Sequence, residues 1–186
     1  LVWKAGKALG AYEIITQAIG VCGMIMMFVM FQQNDRKRIL ICQTIANSFF
    51  CVHYLMLGTY TGSVLNAISA TRAVIYYNRD KKFFGSPAWL WLFIGVSAVA
   101  GVLTWEGPIS ILPTLGMIIG SVSVWVKKPK YIRILSFIPS PMWMTYNIVN
   151  SSIPGIITEA FVMTSIAISI VRYDILKKEE KRPAEK

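Results

Sequence analysis

Acid–base groups are scarce in this sequence. Its 186 residues include nine Asp and Glu together, one His and three Cys. It has no His-Glu-x-x-His, no Gly-x-Ser-x-Gly, no phosphate-cradling glycine loop and no pair of acidic residues at metal-ligand spacing, the patterns that hydrolases, nucleotide enzymes and metalloenzymes need. General acid–base catalysis would fall to one imidazole and a few buried carboxylates, so the chain is not expected to be an enzyme, and no cofactor is implied. Cys22, Cys42 and Cys51 are odd in number and lack Cys-x-x-Cys spacing, which argues against a disulfide framework or a zinc site. All three fall inside apolar stretches, where a thiol acts as a small hydrophobe.

What the sequence has in abundance is apolar surface. Hydrophobic residues make up 55% and charged residues 15%, with a mean hydropathy of +0.54. Apolar runs of roughly 17 to 22 residues, the length a helix needs to cross about 30 Å of hydrocarbon, recur between short breaks rich in Gly, Pro or charge. Seven such spans are predicted, at 11–32, 39–57, 62–77, 87–105, 109–126, 131–149 and 153–173. The expected class is an all-α integral membrane protein forming one membrane domain over 1–186, with a basic tail at 174–186. Little chain is left for a soluble catalytic domain. The first span follows Lys4 and Lys7 but is too long for a signal-peptide core and has no clear cleavage signal, so it reads as a retained helix.

The net charge of +10 gathers in alternate connections, with Lys4 and Lys7 before the first span as the dissenters. Arg36, Lys37 and Arg38 follow the first span, Arg79, Lys81 and Lys82 the third, and Lys127, Lys128, Lys130 and Arg133 surround the turn after the fifth. The tail adds Lys177, Lys178, Lys181, Arg182 and Lys186. The connections "GTYTG", "WEGP" and "NSSIPG" hold no Lys or Arg. Basic loops stay cytoplasmic, so this alternation predicts an N-terminus outside and a C-terminus inside. The charge then reflects topology and contact with anionic membrane lipids, not nucleic acid. Glu13 and Glu106 fall near the outer boundary and are expected to be solvated.

The chain also echoes itself. When "HYLMLGTYTGSVLNAISATRAVIYYNR" is set against "YNIVNSSIPGIITEAFVMTSIAISIVR", Gly62 meets Gly155, Ala67 meets Ala160, Thr71 meets Thr164 and Arg79 meets Arg172, at a constant offset of 93. Upstream, "RIL" at 38–40 reappears at 133–135, and "AIG" ending at Gly20 resembles "TLG" ending at Gly116. Spans one to three (11–77) thus recur as five to seven (109–173), with 87–105 as connector. An odd connector makes the two triplets parallel, a layout known in carriers whose solute site lies between the halves. A closed unit of this kind needs no second copy to complete it, though an oligomer is compatible with it.

The segment "NDRKRILICQTIANSFFCVHYLMLGTYTGSVLNAISATRAVIYYNR", with its basic turn, its His followed by an aromatic, "LGTY" and "LNAI", resembles the YgjV-type bacterial inner-membrane proteins from about Gln17 to Tyr173. That family is similar in arrangement to the MtN3-like group, which includes SWEET sugar transporters, PQ-loop proteins and Pnu-type vitamin transporters. The resemblance implies a three-plus-one-plus-three helix fold but no particular substrate. "FIPSPMW" has no counterpart in the first half.

A polar side chain in hydrocarbon is costly unless paired, and an ionisable one is a candidate for function. Those inside predicted spans are Gln43, Asn47, His53, Asn66, Arg72, Trp143, Tyr146, Asn147 and Glu159. At the 93-residue offset Asn66 corresponds to Glu159, His53 to Tyr146 and Tyr54 to Asn147. Asn66, Asn147, Glu159 and His53 are expected to line one cavity and hydrogen-bond a polar solute, with Trp143, Tyr146 and Tyr54 offering flat surfaces. The competing reading makes them polar glue between helices, which holds equally for Gln43 and Asn47. His53 serves either as a hydrogen-bonded interface residue or as a proton relay. Arg72 either snorkels toward the cytoplasmic surface or stands as an inner-gate charge and counter-ion to Glu159. Pro139 and Pro141 should bend the sixth span, Pro113 and Pro154 lie near span ends, and Gly20, Gly23, Gly116 and Gly120 should let helices approach closely. The expected function is movement of a small polar solute, sugar-, nucleoside- or vitamin-like, by alternating access. The alternative is a non-transporting scaffold, receptor or lipid-handling subunit.

Overall fold

A computed structural model describes residues 10–33, 35–125 and 129–171. Lys4, Lys7, Lys127, Lys128, Arg172 and the basic tail at 174–186 lie outside the described residues. Among those described, the chain is helical with no strand: α1 Ala11–Phe31, α2 Arg36–Met56, α3 Tyr60–Tyr77, α4 Ala88–Leu103, α5 Ile111–Trp125, α6 Pro129–Phe137, α7 Pro139–Val149 and α8 Ile153–Ile170. A 3-10 turn, Pro108–Ser110, leads into α5.

Local signals account for the boundaries. α1 opens where the Gly10 N–H donates to the Glu13 carboxylate at 3.2 Å, and α2 where the Arg38 N–H donates to Asp35 at 2.9 Å, each satisfying an amide that a helix start leaves free. Pro87 precedes α4, and Gly107, at φ 120°, turns the chain after it. α6 and α7 are one rod in two pieces. Ile138 keeps helical dihedrals of −61° and −42°, but Pro139 and Pro141 have no N–H to give, so the ladder breaks and the sixth predicted span bends there.

Two helices are long and apolar enough on their own to cross a membrane, within Ala11–Met30 and Lys37–Met56. Ala88–Leu103, Pro108–Ser123 and Ile153–Ile168 are apolar but shorter. The span predicted at 87–105 thus proves shorter than expected, because Thr104 and the Gly107 turn end its helix. Large apolar side chains are nonetheless exposed on the outside of the bundle, including Ile14, Ile25, Trp91, Val99, Val102 and Leu103, as a lipid-facing surface requires.

The corner between α2 and α3 recurs between α7 and α8. Leu57 N–H donates to His53 O, Gly58 to Leu55 O and Thr59 to Tyr54 O; 93 residues on, Asn150 donates to Tyr146 O, Ser151 to Ile148 O and Ser152 to Asn147 O. Gly58 and Ser151 both take positive φ, 75° and 56°. The bounds of α3 and α8 are also offset by 93 residues, as are the start of α2 with that of α6 and the end of α2 with that of α7. The two "RIL" tripeptides, 95 apart, and Gly20 with Gly116, 96 apart, are therefore out of register with these elements. α1 packs against α2 and α8, α3 against α2, α4 and α5, and α5 against α6 and α7.

Candidate functional site

The helices surround a cavity of about 250 Å³ whose wall comes from α2, α3, α5, α6, α7 and α8, with Met27 of α1. Its α2 stripe is Gln43, Asn47, Phe50 and Tyr54, positions four, three and four apart that share one helix face and span about 16 Å. Asn66, Ser69 and Arg72 form the α3 stripe. Much of the wall consists of residues 93 apart: Gln43 with Ser136, Asn47 with Ser140, Phe50 with Trp143, Tyr54 with Asn147 and Asn66 with Glu159.

One end is closed by such a pair. The Tyr54 hydroxyl donates to Asn147 Oδ1 at 2.6 Å, with both residues buried. Gly62 and Gly155 permit this closeness. A Cβ on Gly62 would stand 2.9 Å from the Tyr146 ring, and one on Gly155 would stand 2.5 Å from the Asn147 amide. Aromatic packing thickens the seal, with the Trp143 and Tyr146 rings edge-to-face at 5.9 Å and Tyr54 beside both.

Seven of the ten residues singled out from the sequence stand in the cavity wall: Tyr54, Asn66, Arg72, Pro139, Trp143, Asn147 and Glu159. Three do not. His53 is fully buried behind the wall, and its two ring nitrogens meet the Thr16 carbonyl and the Ser152 hydroxyl, both at 2.8 Å. It ties α1 and α2 to the start of α8, so the interface alternative describes its placement. Tyr146 is also fully buried behind the wall, its hydroxyl accepting the Gly62 N–H at 2.9 Å. Pro141 is exposed on α7.

Arg72 does not snorkel. Its side chain is 6% exposed, and Nη1 donates to the Ser121 hydroxyl while Nη2 donates to that of Ser69 at 3.3 Å. Those hydroxyls turn it inward between α3 and α5. Arg72 and Glu159 form no ion pair among the described residues; the pair present there is Lys37–Asp80, at the surface. Gly120, expected to bring helices together, has nothing within 4 Å of its Cβ position and lines the cavity instead. Gly20, Gly23 and Gly116 do sit against neighbouring side chains.

Sequence reasoning passed over the serines. Ser69, Ser123, Ser136 and Ser140 all line the cavity, but serine bonds to its own helix backbone readily and does not stand out in an apolar run. Carrying the 93-residue offset on from Gln43 and Asn47 would have reached Ser136 and Ser140. Asn47 matters more than expected: it is 9% exposed, it faces the cavity, and its Nδ2 has no hydrogen-bond partner among the described residues.

Comparison with known proteins identifies a family. The family Imp-YgjV, described as bacterial inner membrane protein, matches residues 14–177. The chain is 22% identical over 162 residues to the inner membrane protein YgjV of Escherichia coli (strain K12), covering 86% of this chain and 84% of that protein. No solved structure matches the chain significantly.

Proposed function

The chain belongs to the Imp-YgjV family of bacterial inner membrane proteins, and from that premise we propose that it is a carrier, not an enzyme, moving a small polar solute across the membrane by alternating access between two three-helix halves. In this reading α1–α3 and α5–α8 are parallel repeats, with α6 and α7 counting as one rod and α4 as connector, in the layout of the MtN3 and SWEET-type proteins. Support comes from the matched corner bonds, the shared helix bounds and the crossed packing in which α1 meets α8 while α3 meets α5. The basic turns face the cytoplasm, and the N-terminus lies outside.

The observation that carries the reading is the cavity itself. Corresponding positions of the two halves face a single hollow, and the polar groups of that hollow are not exhausted by bonds to one another. A scaffold would satisfy them internally, as Tyr54 and Asn147 do. Asn66 instead bonds back to its own helix, at Gly62 O, and Asn47 leaves an amide over. The Tyr54–Asn147 contact closes the end away from the basic turns, so this conformation is shut toward the outside. Opening requires the two hairpin corners to part there.

Uptake into proteoliposomes tests the proposal. Purified protein should equilibrate one class of small polar solute severalfold faster than protein-free vesicles, and Asn66→Ala with Glu159→Gln should remove most of that excess. Absence of uptake across sugars, nucleosides, vitamins and small organic acids would favour the scaffold or lipid-handling alternative.

A further inference from the structure

Arg72 and Asn47 give the cavity an asymmetry that its paired wall otherwise lacks. At the 93-residue offset Arg72 corresponds to Ser165, so the guanidinium has no charged counterpart in the second half. A guanidinium has five N–H donors, and its described bonds, to Ser121 and Ser69, use two of them. Both acceptors are neutral hydroxyls. The hairpin register, with Cys51 against Ser63 and Leu40 against Tyr76, sets Gln43 level with Arg72 and Asn47 between Asn66 and Ser69. Arg72, Gln43 and the unpartnered Asn47 amide therefore gather donors in one stretch of the cavity. Asn66 lies about 9 Å from Arg72 along α3, and its counterpart in the second half, Glu159, lines the same cavity.

We propose that this donor cluster is the seat for an anionic group of the solute, which makes the cargo a small anion: a carboxylate, or the phosphate that shares its chemistry, on Arg72 and Asn47, with any hydroxyl- or amine-bearing remainder toward Asn66 and Glu159. The inference rests on the carrier reading above. A buried cation in a membrane-spanning segment is costly unless neutralised, and a bound anion supplies that neutralisation through charge-assisted bonds. Arg72 is the one cationic side chain among the described residues that line the cavity, so the charge it can neutralise there is that of a single anionic group. Volume bounds the size, since 250 Å³ is the share of roughly eight water molecules, at about 30 Å³ each, and suits a metabolite of few heavy atoms.

The test uses purified full-length protein and named probes: sodium acetate, lactate, glycerate and inorganic phosphate, with lactamide and glycerol as neutral counterparts. Thermal unfolding and equilibrium binding should show saturable stabilisation by lactate or glycerate and none by lactamide or glycerol. Arg72→Gln should weaken that binding by at least about tenfold, with Arg72→Lys retaining part of it, as loss of a charge-assisted contact implies. Preference for inorganic phosphate over every carboxylate would identify phosphate as the anionic group. Equal binding of lactamide and lactate to the wild type would overturn the proposal even if Arg72→Gln failed to fold. So would unchanged binding in a folded Arg72→Gln, or no saturable binding of any salt. Uptake separates the two claims: carriage of neutral solutes independent of Arg72 leaves the carrier standing and removes the anion seat, whereas Arg72-dependent binding of lactate or glycerate without uptake of any probe does the reverse.

Discussion

The His53 ring and the Ser152 hydroxyl together hold three segments, α1, α2 and the start of α8. The Thr16 carbonyl can only accept, so His53 carries its proton on Nδ1 and donates there, leaving Nε2 to accept from Ser152. The same Ser152 oxygen accepts the Gly155 N–H at 3.3 Å and caps α8. Replacing it by Ala strands a buried ring nitrogen and removes the cap, so Ser152→Ala should lower stability by about 1–3 kcal/mol, read as a drop in the thermal midpoint of purified protein. Gly155 contributes differently. An added methyl there would overlap the Asn147 amide and the Ser152 hydroxyl, at 2.5 and 2.6 Å. Gly155→Ala should therefore cost about 1–3 kcal/mol by overpacking. Gly120→Ala, with open space beside it, should instead raise stability by about 0.5–1 kcal/mol through helix propensity, a contrast that separates crowding from propensity.

At the scale of elements, the break between α6 and α7 is where the second half departs from the continuous α2 that the pair matches in length. Pro139 is buried in the cavity wall and breaks the ladder there. Pro139→Ala restores one backbone bond, and under the carrier reading it should raise the thermal midpoint while slowing uptake severalfold. A variant that is stabilised but transports at the wild-type rate would remove the bend from the mechanism. The bend was legible in the sequence because proline acts locally. Helix existence was legible too, since apolar runs between basic and glycine-rich turns follow from the solvent alone. The short α4 was less so, because hydropathy runs on through Thr104 and Trp105 while backbone geometry does not. The candidate site was half legible. A constant offset brought Tyr54 to Asn147 and Asn66 to Glu159, but whether a polar side chain looks into the hollow or behind it depends on packing, and that sent His53 and Tyr146 to the far side of the wall and drew Arg72 inward.

At the scale of the molecule, the two ends of the bundle differ in charge. Arg79 lies over the Trp125 ring at 4.2 Å and Lys37 stands 3.6 Å from Asp80, which gathers the basic turns at one end. The other end presents the exposed carboxylates of Glu13 and Glu106. This polarity should fix orientation, with the basic end retained in the cytoplasm. α4 is the element on which that arrangement depends, because its 16 residues rise about 24 Å against roughly 30 Å of hydrocarbon, and the shortfall must be met by a thinned bilayer or by flanking residues. Single cysteines placed in a background lacking Cys22, Cys42 and Cys51 test both points, using Lys82→Cys before α4 and Trp105→Cys after it, two positions exposed to solvent or headgroups. A membrane-impermeant maleimide should label Trp105→Cys in intact spheroplasts and Lys82→Cys only after the membrane is opened. The reverse pattern would invert the molecule without altering its fold. Labelling of both from the same side would mean that α4 does not cross, and the two halves would then enter the membrane in opposite directions, a geometry in which residues 93 apart could not meet at one depth as Tyr54 and Asn147 do.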